Sequence, residues 1–377
     1  KRADARPTQQ FVALEAIKEG VVILKNGALR KIVMVSGVNF DLKSEEEQEV
    51  ITYAYQNFLN SLDFSIQLLV HSRRLDIDGY LRRLELIEAS EPSELLKQQL
   101  TEYREFVKSL VGQNDIMAKN FFAVIPFDPV GVPKTGARAS KGLLGFFGRK
   151  TTAQSSGPAE DPNFPAHLEQ LRERTEQVLG GLRQIGLRAV PLEHKEALEL
   201  FLNLYNPAPI EQKQVEAAKD LAGDALRDII APAALEIGSH QLKIGDQYAK
   251  TLFLFTYPRY LSSGWFSPLI NLPNLLDISV FIHPVDAGLA LKNLRKKSAQ
   301  IQAQLSEEED KGLVRNPMLE TALQDVEGLR DVLQQGTERL FQVAVYITLY
   351  GRDEETLARL ESEVTSLLEG RLVYAKP

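Results

Sequence analysis

Leu62-Asp63-Phe64-Ser65-Ile66, running on to Val70-His71, and Leu276-Asp277-Ile278-Ser279-Val280, running on to Ile282-His283, are the stretches on which the fold turns. Both read as strands of mixed branched and aromatic residues. The second is shorter by two residues, and a difference of two keeps every side chain on its own face of a strand. The same order of elements surrounds each stretch: hairpin, helix, strand, helical excursion, strand, helix, strand. An internal duplication accounts for both the matching residues and the matching order. Chance similarity of two α/β halves is the alternative.

In the first series, Val21-Val22-Ile23-Leu24 meets Asn26-Gly27 and then Lys31-Ile32-Val33-Met34-Val35. Asn-Gly between apolar runs is the strongest short hairpin signal, because both turn positions favour positive φ. Ser44 followed by Glu47 is a capping box, opening a helix with Val50, Ile51, Tyr53, Ala54, Phe58 and Leu59 on one side. After the strand Phe64 to His71, a charged helical stretch runs from Ile77 to Leu110 with a break near Ser90 to Pro92. Asn120 to Phe127 is a strand, His167 to Ile185 a helix, and Gly186 to Leu192 a short strand.

Residues 194–232 read as two or three helices around Pro207 and Pro209. The second series then begins with a hairpin, Leu235 to Phe255, around Gly245-Asp246. Ser267-Pro268 opens a short helix, and Leu276 to His283 is a strand. A helical excursion over Gly288 to Gln335 breaks near Glu307-Glu308-Glu309 and at Asn316-Pro317. Leu340 to Leu349 is a strand, Asp353 to Leu368 a helix and Arg371 to Ala375 a last strand. Two β-α-β passes joined by a helical excursion follow the order of a ferredoxin-like split β-α-β unit. The expected fold is α+β: two similar ferredoxin-like sandwich modules with inserted helical excursions. The first spans 1–193, with an insert at 128–165. A helical bridge spans 194–234, and the second module 235–377.

Composition narrows the function. The chain has 377 residues, a net charge of −7 and no cysteine. An acidic balance argues against broad nucleic-acid binding, which requires cations against phosphates. The lack of cysteine removes disulfides and thiolate metal sites. No apolar run reaches the length needed to span a bilayer, and no signal-peptide pattern is present. The chain opens at Lys1 rather than Met, as a trimmed sequence would.

Catalytic and cofactor signatures are not evident. Gly131 and Gly136 have the spacing of a phosphate-binding loop, but Ala137 and Arg138 stand where Lys and Ser or Thr are required. There is no dinucleotide fingerprint and no nucleophile elbow. His71, His167, His194, His240 and His283 form no metal-ligand pair, and His71 and His283 end equivalent strands. Carboxylate runs such as Glu45-Glu46-Glu47 belong to helix starts, where they meet the positive end of the dipole. The chain is therefore expected to hold no catalytic, cofactor-binding or metal-binding residues.

Two segments point instead to contact surfaces. The insert carries Lys141, Leu143, Leu144, Phe146, Phe147, Arg149 and Lys150, apolar residues between cations. Such a pattern suits an anionic membrane surface or a protein partner, or else a loop that packs back on its own domain. The segment with Tyr257, Arg259, Tyr260, Trp265 and Phe266 holds the residue types of interaction hot spots, or else of a buried hinge over the second sheet.

The chain resembles a known family at several of these places. Gly20-Val21-Val22-Ile23-Leu24-Lys25-Asn26-Gly27 resembles the family's opening hairpin. Tyr53-Ala54-Tyr55-Gln56-Asn57-Phe58-Leu59-Asn60-Ser61-Leu62 resembles its first helix. Ser72-Arg73-Arg74-Leu75-Asp76, Tyr257-Pro258-Arg259-Tyr260 and Leu272-Pro273-Asn274-Leu275-Leu276-Asp277-Ile278-Ser279 are similar to further stretches. The family is that of TraC-type conjugative-transfer ATPases of type IV secretion, in the region before the motor. The resemblance implies a cytoplasmic, peripheral subunit at the inner face of the plasma membrane. Its implied partners are inner-membrane secretion subunits and neighbouring copies. ATP and Mg are implied only for a motor domain, and this chain stops at Lys376-Pro377, where the family continues into that domain. The expected role is docking and oligomerisation, without catalysis and without direct nucleic-acid contact. Two alternatives stand beside it: a self-contained enzyme with a dispersed carboxylate site, and an RNA-binding protein using exposed ferredoxin-like sheets. The second lacks an RNP-like aromatic strand in the sequence.

Overall fold

The computed structural model describes residues 7–75, 77–113, 116–129, 163–206, 218, 221–311, 316–336 and 338–377. Among the described residues, twelve strands form one antiparallel sheet and ten α-helices pack around it, a mixed α+β architecture.

The first half opens with β1 (Leu14–Lys18), β2 (Val21–Leu24) and β3 (Leu29–Val35). The hairpin expected at Asn26-Gly27 joins β2 to β3, but as a longer loop in which Gly27 alone has positive φ, at 80°. The Asn26 side chain instead accepts from the Ala28 N–H at 3.1 Å, which is how Asn commonly builds turns. The paired positive φ values occur one turn earlier, at Glu19 (51°) and Gly20 (70°), between β1 and β2. β1 escaped the sequence reading because Leu14-Glu15-Ala16-Ile17-Lys18 does not alternate cleanly.

α1 (Glu45–Ser61) starts at the Ser44 capping box. Glu47 N–H donates to Ser44 Oγ at 3.3 Å and Ser44 N–H to Glu47 Oε2 at 3.0 Å. Ile51, Ala54, Phe58 and Leu59 face the core. Val50 and Tyr53, read as belonging to the same side, are exposed. The stripe set by Ile51, Ala54 and Phe58 follows i, i+3, i+7 spacing and leaves them off it. β4 (Ile66–Arg74) leads into the hairpin of α2 (Asp78–Ser90) and α3 (Glu94–Gln113). β5 (Met117–Phe127), α4 (Phe164–Gln184) and β6 (Ala189–Pro191) complete the series. Hydrogen bonding gives the order β6-β3-β5-β4.

α5 (His194–Tyr205) and α6 (Gly223–Ile230) lie in the stretch read as a bridge. They pack on β1 and cover the sheet face opposite α1 and α4. The first half is thus a sheet between two helical layers. Ile23, Leu29, Val33, Ile66 and Ile125 meet α1 and α4 on one face. Ile17, Val22, Ile32, Leu69 and Phe122 meet Leu198, Leu202, Leu226 and Ile230 on the other.

The second half contains β7 (Leu235–Ile237), β8 (Leu242–Ile244) and β9 (Gln247–Thr256). These lead to α7 (Ser267–Ile270) and β10 (Leu276–Pro284). α8 (Ala287–Asp310) and α9 (Pro317–Gln335) form the helical excursion. α8 continues through Glu307-Glu308-Glu309, so the acidic run does not break it, whereas Asn316-Pro317 does open α9 with Pro in its first turn. β11 (Phe341–Gly351), α10 (Glu354–Glu369) and β12 (Tyr374–Lys376) close the series. The order is β12-β9-β11-β10, the same as in the first half. α7 and α10 cover one face through Leu269, Leu357, Leu360, Val364 and Leu368.

The halves meet edge to edge. β4 pairs antiparallel with β10 from Ser72↔Leu276 to Ile66↔Ile282, which makes one continuous sheet. α1 and α4 of one half and α7 and α10 of the other lie on the same face, since Ile66 and Val70 share a strand face with Ile278 and Ile282.

α1 and α4 approach closely at Gly181, where a Cβ would fall 2.2 Å from Phe58 Cδ2, while a Cβ on Gly180 meets nothing within 4 Å. Gly181→Ala is therefore expected to destabilise the fold by about 1–3 kcal/mol through overpacking. Gly180→Ala should stabilise it by up to about 1 kcal/mol through helix propensity. Chemical denaturation of both variants checks the pair; destabilisation by Gly180→Ala with none from Gly181→Ala would place the contact wrongly.

Candidate functional site

The seam between the halves holds the densest buried polar cluster. β10 brings in Asp277 and β4 brings in His71 and Arg73, opposite or nearly opposite in the ladder. Tyr350 comes from β11, next to β10. His71 Nδ1 lies 2.6 Å from Asp277 Oδ1. Arg73 donates to Oδ1 at 3.1 Å and to Oδ2 at 3.0 Å. The Tyr350 hydroxyl donates to Oδ2 at 2.6 Å, and the Arg73 guanidinium stacks on the Tyr350 ring at 4.9 Å. A carboxylate offers about four lone-pair positions, and here each is taken by one donor. Because an ionised carboxylate only accepts, the imidazole carries its proton on Nδ1. Beside the cluster, Lys119 Nζ donates to Ser72 Oγ at 2.7 Å and to Leu272 O at 2.6 Å; burial lowers its pKa.

Burial by itself pushes the Asp277 carboxyl up. The His71 hydrogen bond and the Arg73 charge outweigh it and hold the group below the usual carboxylate range. Burial and the neighbouring carboxylate push the Tyr350 phenol up, so it stays a donor at any physiological pH. The constellation resembles catalytic machinery in residue type, but the Asp277 carboxylate has all its acceptor positions filled, and the cluster clasps the two halves together. His71 Nε2 and Arg73 Nε are buried and have no hydrogen-bond partner among the described residues. At the other end of the seam His283 Nδ1 meets Ser65 Oγ at 2.6 Å. Both strand-end histidines therefore bond across the seam, each to the other half. Sequence reading paired these two histidines but missed Asp277, Arg73 and Tyr350 as their company. A buried Asp in an apolar strand was the available signal.

The aromatic segment after β9 divides. Trp265 and Phe266 stack at 4.6 Å and pack on the second-half core, as a hinge would. Tyr257, Arg259 and Tyr260 face solvent, Tyr260 at 77% exposure. Arg259 pairs with Asp325 of α9 and lies 5.2 Å from the Tyr260 ring centroid. The segment is not one surface. Lys141, Leu143, Leu144, Phe146, Phe147, Arg149 and Lys150 lie outside the described residues, as do Gly131 and Gly136.

Two apolar surfaces escaped the sequence reading. One is the second-half sheet face opposite α7 and α10. Phe253 of β9, Phe281 of β10 and Tyr346 of β11 converge there, with ring centroids 5.2 Å apart for Phe253–Tyr346 and 5.8 Å for Phe281–Tyr346. The sequence shows no RNP-like aromatic strand, yet three strands together assemble an aromatic face. The readable signal was in β9, where Leu252 and Leu254 alternate with Phe253 and Phe255 so that both faces are apolar. The other surface is the α2–α3 hairpin, whose Leu86, Ile87, Leu95, Leu96, Tyr103 and Phe106 are exposed.

Among the described residues no group of three or more His, Asp or Glu side chains is placed to hold a metal ion, and no helix is long and apolar enough to cross a membrane. Fold and surfaces together define a mixed α+β protein built on one wide antiparallel sheet with bare apolar faces. The chain belongs to the TraC-like family: the archaeal TraC-like domain matches residues 15–207, more than half of its length. Membership associates it with conjugation and secretion. No curated protein matches the chain.

Asp277→Asn should cost on the order of 3 kcal/mol at neutral pH, the usual effect of breaking a buried ion pair. A depressed folded pKa contributes stability that is complete above the unfolded value, about 3.9, and lost as pH falls through the folded value. The gap between wild type and variant should therefore narrow below about pH 4. Urea denaturation across about pH 3 to 7 measures it; a gap independent of pH would contradict the ionised clasp.

Proposed function

We propose that the chain is the docking and oligomerisation region of a conjugative type IV secretion ATPase. In this role it attaches the ATP-driven motor to the inner-membrane complex for pilus assembly and for DNA or protein transfer. Membership in the TraC-like family over residues 15–207 is the observation that carries the reading. The bare apolar α2–α3 hairpin and the open aromatic face support it, because large exposed apolar patches mark interaction sites. Its partners are inner-membrane secretion subunits and neighbouring copies, and its place is the cytoplasmic side of that membrane. The basic-apolar insert from Lys141 to Lys150 adds contact with anionic lipid. The chain binds no nucleic acid directly and hydrolyses no ATP; ATP and Mg belong to the motor domain.

The architecture within this reading is two ferredoxin-like modules. The matching orders β6-β3-β5-β4 and β12-β9-β11-β10 support it, because a split β-α-β unit generates that order from right-handed crossovers.

Expressed in cells that carry the secretion machine, the chain should co-sediment with inner-membrane secretion subunits, and it should not do so in cells that lack the machine. Equal sedimentation from both overturns the docking role. The purified chain should show background ATP hydrolysis only, and turnover abolished by a single substitution would make it an enzyme. Changing Leu143, Leu144, Phe146 and Phe147 to Ser should reduce binding to anionic liposomes, measured by flotation. A wild-type chain that stays with the unbound fraction removes the lipid contact.

A further inference from the structure

The pairing pattern makes the two halves comparable position by position. His71 of β4 and His283 of β10 bond Asp277 and Ser65, the same contact made from opposite sides of the seam. On that alignment Leu69 of β4 corresponds to Phe281 of β10. Following the ladders outward, Val124 corresponds to Tyr346 and Ile32 to Phe253. All six share the sheet face opposite α1, α4, α7 and α10.

Their environments differ. Ile32 and Leu69 are 4% and 6% exposed, covered by α5 and α6. Phe253, Phe281 and Tyr346 are 38%, 42% and 39% exposed. The first half thus shows what this sheet face accepts: amphipathic helices with a Leu and Ala stripe. The second half carries aromatics at the same positions, which raises the gain from covering them.

The described residues of this face offer few free cations to a phosphate-rich ligand. Gln67 and Ser279 bond each other at 3.2 Å, and Thr251 and Thr348 at 2.9 Å. Arg73 is engaged by Asp277. Lys376, 4.3 Å from the Phe255 ring centroid, stands at the margin. Binding a nucleic-acid backbone takes several cations, whereas a helix takes an apolar surface with a neutral polar rim.

The same chain carries a helix pair of the required kind. Leu95, Leu96, Tyr103 and Phe106 fall within one face of α3 at helical spacing and are exposed. Tyr80 of α2 bonds the Tyr103 hydroxyl at 3.2 Å, which joins Ile87, one helical repeat on, to the same side. The main packing of α2 and α3 is against each other. Each copy therefore offers one bare helix pair and one bare sheet face.

We propose that the α2–α3 hairpin of one copy seats on the Phe253–Phe281–Tyr346 face of the next, in the position that α5 and α6 occupy on the first half. The two surfaces differ, so the contact is head-to-tail and propagates into a ring or a filament rather than closing a two-fold dimer. The inference deepens the oligomerisation part of the proposed function and names its interface.

The chain has no cysteine, so introduced thiols report this contact alone. Phe106→Cys and Phe281→Cys chains, mixed and mildly oxidised, should form a disulfide-linked heterodimer, with far less product from either chain alone. In the cysteine-free chain, Phe106→Asp and Tyr346→Asp should each weaken self-association at least tenfold by sedimentation equilibrium. Both substitutions are at exposed positions, and unchanged circular dichroism and melting temperature show that the fold is kept. Four results overturn the proposal: no heterodisulfide, self-linked Phe281→Cys chains in equal yield, association unmoved by both Asp variants, or a wild-type chain that remains monomeric. A Tyr346→Asp loss of oligothymidine binding with association unchanged reassigns the face to single-stranded nucleic acid. Co-sedimentation with inner-membrane subunits is scored separately, so docking stands if only the self-contact fails.

Discussion

Pairing of β4 with β10 is the constraint from which the rest of the molecule follows. Each half alone ends in a strand with a free row of N–H and C=O groups, and such an edge recruits whatever strand it meets. Joining the two edges removes both at once. The register that does so, Leu68 opposite Val280, aligns the helix-facing residues of both halves on one side of the sheet. It also places Asp277 beside His71 and within reach of Arg73. A slip by one residue would invert every side chain of one half relative to the other, and Asp277 would lose His71 and Arg73 together, keeping only Tyr350 of its own half. The carboxylate specifies register more than it contributes net stability, since buried ion pairs roughly repay their own desolvation.

Two halves of the same strand order present corresponding outer faces, and the two faces differ. The first half covers its face with α5 and α6 through Leu198, Leu202, Leu226 and Ile230. The second half leaves the corresponding face bare and places larger rings on it. Thr and Ser suit a solvated sheet face. Thr251, Thr348 and Ser279 do occupy its flanks, but the centre is aromatic. Aromatics held at such exposure cost solubility, and a surface that keeps them has a use for them.

Much of the fold was legible because its signals are local. Ser44 with Glu47, Pro268 and Pro317 at helix starts, and Asp353 before α10 each fix an element by satisfying a specific backbone need. The repeat of Leu-Asp-x-Ser pointed to two halves of the same order. What stayed hidden was set by contacts far apart in the chain. Nothing near Asp277 announces Arg73, some two hundred positions away, or Tyr350 on a neighbouring strand. Val50 and Tyr53 misled because hydrophobicity marks a possible core face, and only the partner helix decides which side of α1 is used. The Tyr257 to Phe266 segment reads from composition as a contact surface or a buried hinge, and only the fold shows that Trp265 and Phe266 pack on the second-half core while Tyr260 is exposed.

The seam cluster shows why residue type is a poor guide to function here. His, Asp, Tyr and Arg within hydrogen-bonding distance are the ingredients of acid–base catalysis. A general base must keep a lone pair for the proton it takes, and a carboxylate with four donors has none left. Tyr350 is pushed up rather than toward neutrality, and Asp277 is pushed down, so neither titrates near pH 7. The Asp277 carboxylate and its donors hold the two halves in register. The chain's uncommitted free energy lies in apolar area, on the α2–α3 hairpin and on the Phe253–Phe281–Tyr346 face. Burying apolar area on association is favourable, so these two surfaces are where the described residues offer the most to a partner.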